Sequence, residues 1–240
     1  MPAPVDVNEV DTPKIDSSTV NCNYLSTSSN RKQEAGPCHR YIKNLRISAV
    51  VGSNSDGLAR NELDSHADTC AVGSAYLRFA DNGQKVSVSG YSDTMKPIKG
   101  VPVASVATVW EDPTTGYNYM LVFHECLYFE DRLDGTSLLN PNQMRANGLV
   151  VDDVARQFNT KSTHSIYIPS HDLRIPLELE GIHSGFSTRK PTWEEFYDTN
   201  TYPRIEMTSS MPWRPSSDDF AEKWGTISVV NQISEDAQTC

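Results

Sequence analysis

The residue types best suited to acid–base chemistry are concentrated in one short segment, Glu62-Leu63-Asp64-Ser65-His66-Ala67-Asp68-Thr69. Within it, Asp64 directly follows an apolar residue and precedes a hydroxyl-bearing one, and a second such pair begins at Asp68. This pattern predicts a strand that ends in a turn, where neighbouring amides and hydroxyls can hold a carboxylate. Such a carboxylate can activate water for hydrolysis if it lies beside a partner that stays protonated.

Two aspartates held close together provide that partner, because both cannot be ionised at once. The Asp64-Ser65 motif has no matching second copy, since Asp93-Thr94 lies in a polar loop and Asp198-Thr199 in the C-terminal tail. A single copy requires a symmetric homodimer in which Asp64 from each chain meets on the twofold axis. We therefore expect two chains to form one site.

The elements that would position Asp64 are strands. Order is expected to begin with the apolar stretch at residues 45–51, and residues 85–89 alternate with period two. Residues 101–110 are rich in β-branched side chains and residues 117–128 in aromatic ones, and the Pro- and Gly-containing residues 111–116 connect them. The sequence therefore predicts a hairpin-rich, all-β domain.

One short helix is expected at residues 140–148. Asn140 would be its N-cap, Pro141 its first position and Gly148 its C-terminal stop. A strand is predicted from Leu149, and residues 165–168 are expected to pair with residues 173–177.

Composition divides the chain into three parts. Residues 1–44 are rich in Ser, Thr, Asn, Pro and Asp and predict a disordered arm or linker. Residues 45–180 predict the folded all-β domain, and residues 181–240, rich in Pro, Ser and acidic side chains, predict a linker-like tail.

Charge and cysteine content narrow the class of protein. A net charge of −10 and a pI near 5.0 argue against direct nucleic-acid binding, which usually leaves a basic patch. The five cysteines include no CxxC pair, so neither a zinc knuckle nor a disulfide framework is indicated. The N-terminus lacks a signal-peptide pattern, and no apolar run is long enough for a membrane span. We expect a soluble cytoplasmic protein without a metal or organic cofactor and without membrane association.

Two regions together resemble a known protease family. Leu63-Asp64-Ser65-His66-Ala67-Asp68-Thr69 resembles the active-site motif of retropepsins, which is an apolar residue, Asp, Ser or Thr, Gly and Ala, followed by a polar pair. Residues 124–129, 137–144 and 148–151 are similar, in order and spacing, to the downstream half of the protease region in copia-type retrotransposon polyproteins. The similarity covers about residues 60–155.

The resemblance implies a small closed β-barrel of retropepsin (acid protease) type with one short helix. It implies an aspartic endopeptidase that acts as a homodimer on peptide or polyprotein substrates, in the cytoplasm or in virus-like particles. Asp64 would be the catalytic aspartate, and the Ser65 hydroxyl would brace the two active-site loops across the dimer. Ala67 and Asp68 would lie beside the substrate backbone.

The same resemblance assigns two supporting elements. A flap that closes over the substrate would be a hairpin at residues 92–103, with Gly100 as its flexible point. The apolar pair Leu138-Leu139 would pack beneath the active-site loop.

Two positions depart from the family pattern. His66 stands where the family has glycine, and Asn140 stands where it has glycine after the apolar pair. The His66 amide can still bind a carboxylate if the backbone torsions there suit a residue with a Cβ. Its imidazole could also pair with Asp64 and disturb proton sharing. A catalytically degenerate protease-like module for dimerisation or binding, or a transposon remnant, is therefore the alternative.

A metal site is a further alternative. Asp64-x-His66 has the spacing of the first metallophosphoesterase motif, and Asp68, Cys70, His124 and Cys126 offer further ligands. The Gly-Asp and Gly-Asn-His elements that such enzymes need are absent from the sequence. His124 and Cys126 are two apart in a predicted strand and are expected to share one face.

Overall fold

The computed structural model describes residues 39–41, 58–90, 96–130 and 136–224, and within these ranges the chain is mostly β-sheet with three short α-helices. None of those helices is long and apolar enough to cross a membrane. The strands are β1 His39–Tyr41, β2 Leu58–Leu63, β3 Ala71–Val72, β4 Leu77–Ser89, β5 Ile98–Glu111, β6 Asn118–Tyr128, β7 Thr136–Leu139, β8 Val150–Asp152, β9 Ser165–Ile168, β10 Leu173–Pro176, β11 Glu178–Glu180, β12 His183–Arg189 and β13 Arg204–Glu206. The helices are α1 Pro141–Ala146, α2 Trp193–Tyr197 and α3 Asp218–Trp224.

Six strands of the main sheet form a closed ring of hydrogen-bonded neighbours. Around the ring the order is β5, β12, β2, β7, β3 and β6, and β6 pairs again with β5. Outside the ring, β4 pairs with β5, β1 with β4, β13 with β6 and β11 with β12. A separate three-stranded sheet has the order β10, β9, β8. The ring places β7 directly between the two strands, β2 and β3, that flank the Asp64 segment.

Three groups of buried apolar side chains stabilise this arrangement. The largest combines ring strands with α1 and the three-stranded sheet, and includes Phe123, Leu139, Met144 and Ile166. The second joins the β4–β5 hairpin to the Asp64 segment, and the third covers the other face of β4, β5 and β6 with Phe196 of α2. Removing these side chains from water is the main favourable contribution to folding.

Several sequence predictions are confirmed. The predicted strands at residues 85–89, 101–110 and 117–128 correspond to β4, β5 and β6. The predicted helix is α1, with Asn140 as its N-cap and Pro141 in its first turn. The predicted pairing of residues 165–168 with 173–177 is the antiparallel β9–β10 pair, in which Leu173 lies opposite Ile168. The all-β prediction is confirmed, whereas the strand predicted at residues 45–51 lies outside the described residues.

Two predictions about the overall fold are wrong. The expectation of a single helix fails because α2 and α3 also form. The linker-like tail at residues 181–240 fails because β12 pairs with β2 inside the ring and Phe196 of α2 is buried. Of the arm predicted at residues 1–44, only β1 is described, and it pairs with β4. Residues 225–240 lie outside the described part of the chain.

The sequence does not indicate β12, because this strand contributes a single large apolar side chain, Phe186, to the core and is otherwise held by polar groups and close backbone approach. Asn61 Nδ2 donates to Thr188 Oγ1 at 2.9 Å and to the Phe186 carbonyl at 3.2 Å. Thr108 Oγ1 donates to Thr188 Oγ1 at 2.8 Å. Gly185 permits the strands to approach, since a Cβ there would lie 2.2 Å from the Asn61 carbonyl oxygen.

Candidate active site

The Asp64 segment is a loop whose two ends are held by β7. Strand β2 runs parallel to β7, with Leu63 opposite Leu139, and the Asp64 amide continues the ladder by donating to the Leu139 carbonyl at 2.9 Å. At the other end of the loop, Ala71 of β3 lies opposite Leu138 in an antiparallel pairing. Both members of the predicted apolar pair thus contact this loop's strands, and Leu139 is fully buried.

The Asp64 carboxylate is largely enclosed and only partly hydrogen bonded. Its side chain is 11% exposed, and Oδ1 accepts a hydrogen bond from the His66 amide at 2.8 Å. Within the described part of the chain, the buried Oδ2 has no hydrogen-bond partner. A buried polar atom without a partner costs free energy, so its retention requires an explanation. The loop therefore presents one carboxylate oxygen that no residue in the described ranges binds.

His66 fulfils the backbone role expected of glycine. Positive φ angles at non-glycine residues in the described ranges occur only at Glu125, Glu130, His164 and Asp172, so the backbone at His66 accommodates a Cβ. The imidazole is 66% exposed, and its Nδ1 lies 3.7 Å from Asp64 Oδ1. Ser65, next to it, is also exposed. The substitution preserves the amide hydrogen bond and adds an exposed ring beside the carboxylate.

Ala67 and Asp68 are anchored to other parts of the chain. The Ala67 side chain is buried among apolar residues of the hairpin, and its carbonyl accepts a hydrogen bond from Asn140 Nδ2. The Asp68 carboxylate accepts from Thr69 Oγ1 at 2.9 Å, and the Asp68 carbonyl accepts from the indole N–H of Trp213 at 2.7 Å. The loop backbone is therefore fixed at two successive carbonyls.

Asn140, the second departure from the family pattern, has a structural role. Its Oδ1 caps α1 by accepting from the amides of Asn142 and Gln143, while its Nδ2 binds the Ala67 carbonyl. Gln143, one turn on, accepts from the Cys70 amide at 2.9 Å and donates to the His124 carbonyl at 3.2 Å. The first turn of α1 therefore connects the Asp64 loop to β6. The sequence indicated the cap, and the resemblance over residues 137–144 included Gln143 without assigning its contacts.

Two free thiols lie at the far end of the loop. Cys70 and Cys126 are both fully buried, and Cys70 Sγ accepts from the Asn140 amide at 3.2 Å. Burial, with a smaller contribution from Cys70, raises the pKa of the Cys126 thiol well above its ordinary value. The Cys126 thiol is therefore uncharged at neutral pH.

The described part of the predicted flap, residues 96–103, leads into β5, and the antiparallel β4–β5 pair packs against the loop. Val88 of β4 lies opposite Ile98 of β5, and residues 91–95 between them lie outside the described residues. Val86 and Val101 of this hairpin share a buried cluster with Ala67. Gly100 is exposed with φ +73°, a conformation that glycine adopts without strain.

His124 and Cys126 do not share a face, so that prediction is wrong. Glu125 between them has φ +56°, and the register of β5 and β6 shifts there, which is the signature of a β-bulge. Cys126 therefore points into the main cluster, whereas the His124 ring lies 2.8 Å from both Ser105 Oγ and Glu206 Oε2. In the described ranges no three His, Cys, Asp or Glu side chains are arranged to hold a metal ion.

The geometry at Asp64 is suited to proton sharing with a second carboxylate. One oxygen is held by a backbone amide, the other has no partner in the described chain, and the backbone on both sides is braced. Two such groups facing each other would share one proton, because both cannot be ionised at once. No protein-family model, curated protein or solved structure matches this chain.

Proposed function

We propose that this chain is an aspartic endopeptidase of the retropepsin type, active as a homodimer in which the two Asp64 carboxylates share a proton. The observation that carries the proposal is the braced, enclosed Asp64 carboxylate, whose Oδ2 has no hydrogen-bond partner among the described residues. The six-stranded ring supports a retropepsin-type barrel, and the position of Leu138-Leu139 at the loop matches the resemblance. The substrate would be a peptide within a copia-type polyprotein, cleaved in the cytoplasm or in virus-like particles.

The chemistry follows from an ionised and a protonated carboxylate side by side. The ionised Asp64 removes a proton from water as the water oxygen bonds to the scissile carbonyl carbon, while the protonated Asp64 gives its proton to the carbonyl oxygen. The Asp64 that took the proton from water then gives it to the amide nitrogen as the C–N bond breaks, and a hydroxyl of the gem-diol returns its proton to the other Asp64, which leaves a carboxylic acid and an amine. In each chain the His66 amide binds Oδ1 and leaves Oδ2 for the water and the partner, and in the ionised Asp64 this hydrogen bond stabilises the negative charge.

A second candidate function is a non-catalytic dimerisation or binding module with the same fold. The imidazole of His66 favours it, because Nδ1 lies 3.7 Å from Asp64 Oδ1 and could take the place of the second carboxylate as partner. High exposure of the ring weakens this pairing, since exposed ion pairs contribute little in water.

The test combines solution mass with peptide cleavage. Wild type, Asp64→Asn and His66→Gly are compared on a peptide library between about pH 4 and 7, where a carboxylate pair can share a proton. We expect dimeric wild type to cleave and dimeric Asp64→Asn to be inactive. A strict monomer, or a dimer as inactive as Asp64→Asn, would exclude the protease. If His66→Gly cleaves peptide and wild type does not, the second candidate, a module that has lost catalysis, is established.

A further inference from the structure

The segment after β13 runs along β6 towards the Asp64 loop. The Met207 amide donates to the Val122 carbonyl at 2.8 Å, which extends the parallel β13–β6 ladder by one residue. The fully buried Thr208 then accepts from the His124 amide at 2.7 Å and donates to the His124 carbonyl at 2.9 Å through its hydroxyl. The chain beyond residue 206 is therefore fixed to the strand that carries Glu125.

Trp213 lies at the end of this segment and binds two different elements. Its indole N–H donates to the Asp68 carbonyl at 2.7 Å, and its backbone amide donates to Glu125 Oε2 at 3.2 Å. The indole also packs edge-on against Phe220 of α3, with 5.0 Å between ring centroids. Trp213 is half-buried and belongs to none of the three apolar clusters. Two directed hydrogen bonds and a ring contact therefore help to hold Trp213 in place.

The Glu125 side chain extends the connection to the hairpin. Glu125 Oε1 accepts from Asn82 Nδ2 at 2.7 Å, and Asn82 lies on β4. Glu125 itself is 7% exposed and adopts the left-handed backbone conformation of the bulge. Such a conformation at a non-glycine residue persists when the surroundings fix it, and it is common next to functional sites. The bulge aims this carboxylate at both Trp213 and Asn82.

We infer that Trp213 is a positioning residue that fixes the Asp68 backbone relative to β4, the first strand of the flap-like hairpin. The inference rests on the proposed function, in which Asp68 lies beside the substrate backbone. It follows that the catalytic unit extends beyond residue 180 and includes the C-terminal segment through Phe220. Loosening this contact should weaken peptide binding while leaving the Asp64 carboxylate in place, since Asp64 is held separately by Leu139 and His66.

The test is Trp213→Phe, which removes the indole donor and keeps an aromatic ring next to Phe220. The control is Trp193→Phe on the exposed face of α2. We expect the KM of a cleaved peptide to rise about fivefold in Trp213→Phe, the effect of one lost neutral hydrogen bond, with kcat almost unchanged. Trp193→Phe should match wild type. A KM equal to that of wild type, or a loss confined to kcat, would overturn the positioning role.

Amide hydrogen exchange separates this inference from the proposed function. The Cys70 amide, which is hydrogen bonded to Gln143, should exchange faster in Trp213→Phe because the loop is held less firmly, while the Asp64 amide keeps its wild-type rate. If wild type cleaves no peptide, the proposed function fails, and the exchange rate alone decides whether Trp213 fixes the loop. Unchanged exchange at Cys70 would refute that connection even in an active enzyme.

Discussion

Asn140→Ala removes the side chain that joins the Asp64 loop to α1. Asn140 is 3% exposed, and its amide group makes three hydrogen bonds, two as the acceptor that caps the helix and one as the donor to the Ala67 carbonyl. Losing an Asn N-cap costs about 1 kcal/mol. Leaving the buried Ala67 carbonyl without its donor costs about 1–3 kcal/mol more. The expected loss in the free energy of unfolding is therefore about 2–4 kcal/mol.

Two further substitutions separate the contributions. Glycine is tolerated at N-caps and costs only a few tenths of a kcal/mol there. The decrease in the free energy of unfolding of Asn140→Gly should therefore report mainly the hydrogen bond to Ala67, about 1–3 kcal/mol. Asn142→Ala is the matched control, because this exposed residue lies in the same helical turn and, among the described residues, its side chain accepts a hydrogen bond only from Arg145, at 2.8 Å. It should change stability by less than about 0.5 kcal/mol.

Urea unfolding at a fixed protein concentration gives the free energy of unfolding of all three variants, so that they can be compared directly. If Asn140→Ala and Asn142→Ala were equally stable, the capping and loop-bracing roles of Asn140 would both be refuted. If Asn140→Gly were as stable as wild type, the hydrogen bond to Ala67 would contribute nothing, and the asparagine would act as a cap alone.

The remaining predictions concern β12 and the segment that follows it. Gly185→Ala places a Cβ 2.2 Å from the Asn61 carbonyl oxygen and should lower the free energy of unfolding, measured in urea, by about 1–3 kcal/mol or more. Ser187→Ala, at an exposed position of the same strand, should leave it nearly unchanged. Hydrogen bonds from Arg189 lower the pKa of Glu195 to about 2 from its ordinary 4.5. A lowered folded-state pKa stabilises the fold fully above pH 4.5, and this stabilisation is lost as pH falls towards 2. Because solvent screens the pair, the free energy of unfolding of wild type should exceed that of Glu195→Gln by only about 1 kcal/mol at pH 6. This difference should shrink below pH 4.5 and close only as pH approaches 2, and a difference independent of pH would contradict the assignment.

The central strands were predictable because their side chains alternate or are uniformly apolar. Strands β4, β5 and β6 follow the patterns of β-branched and aromatic residues, and α1 follows its Asn-Pro start and Gly148 stop. The strand β12 was not predictable on this basis. Its contacts to β2 depend on Gly185 and on Thr188, neither of which adds to an apolar alternation.

The candidate site was predictable only in part. Asp64 follows a strand end, as the sequence pattern predicts, and Leu138-Leu139 lie on the strand beside the loop, as the resemblance implies. The backbone conformation at His66 could not be read from residue types, and it decides whether the amide reaches Asp64. The link from Trp213 to Asp68 spans 145 positions, and no local pattern encodes a contact over that distance.

The most direct test of the paired-Asp64 claim is a mixing experiment between wild type and Asp64→Asn. If a working site needs Asp64 from both chains, and subunits exchange freely, an equal mixture at constant total protein should retain about one quarter of the wild-type cleavage rate, because about one dimer in four is then fully wild type. Retention of about half would mean that each chain works alone and would contradict the shared-proton mechanism.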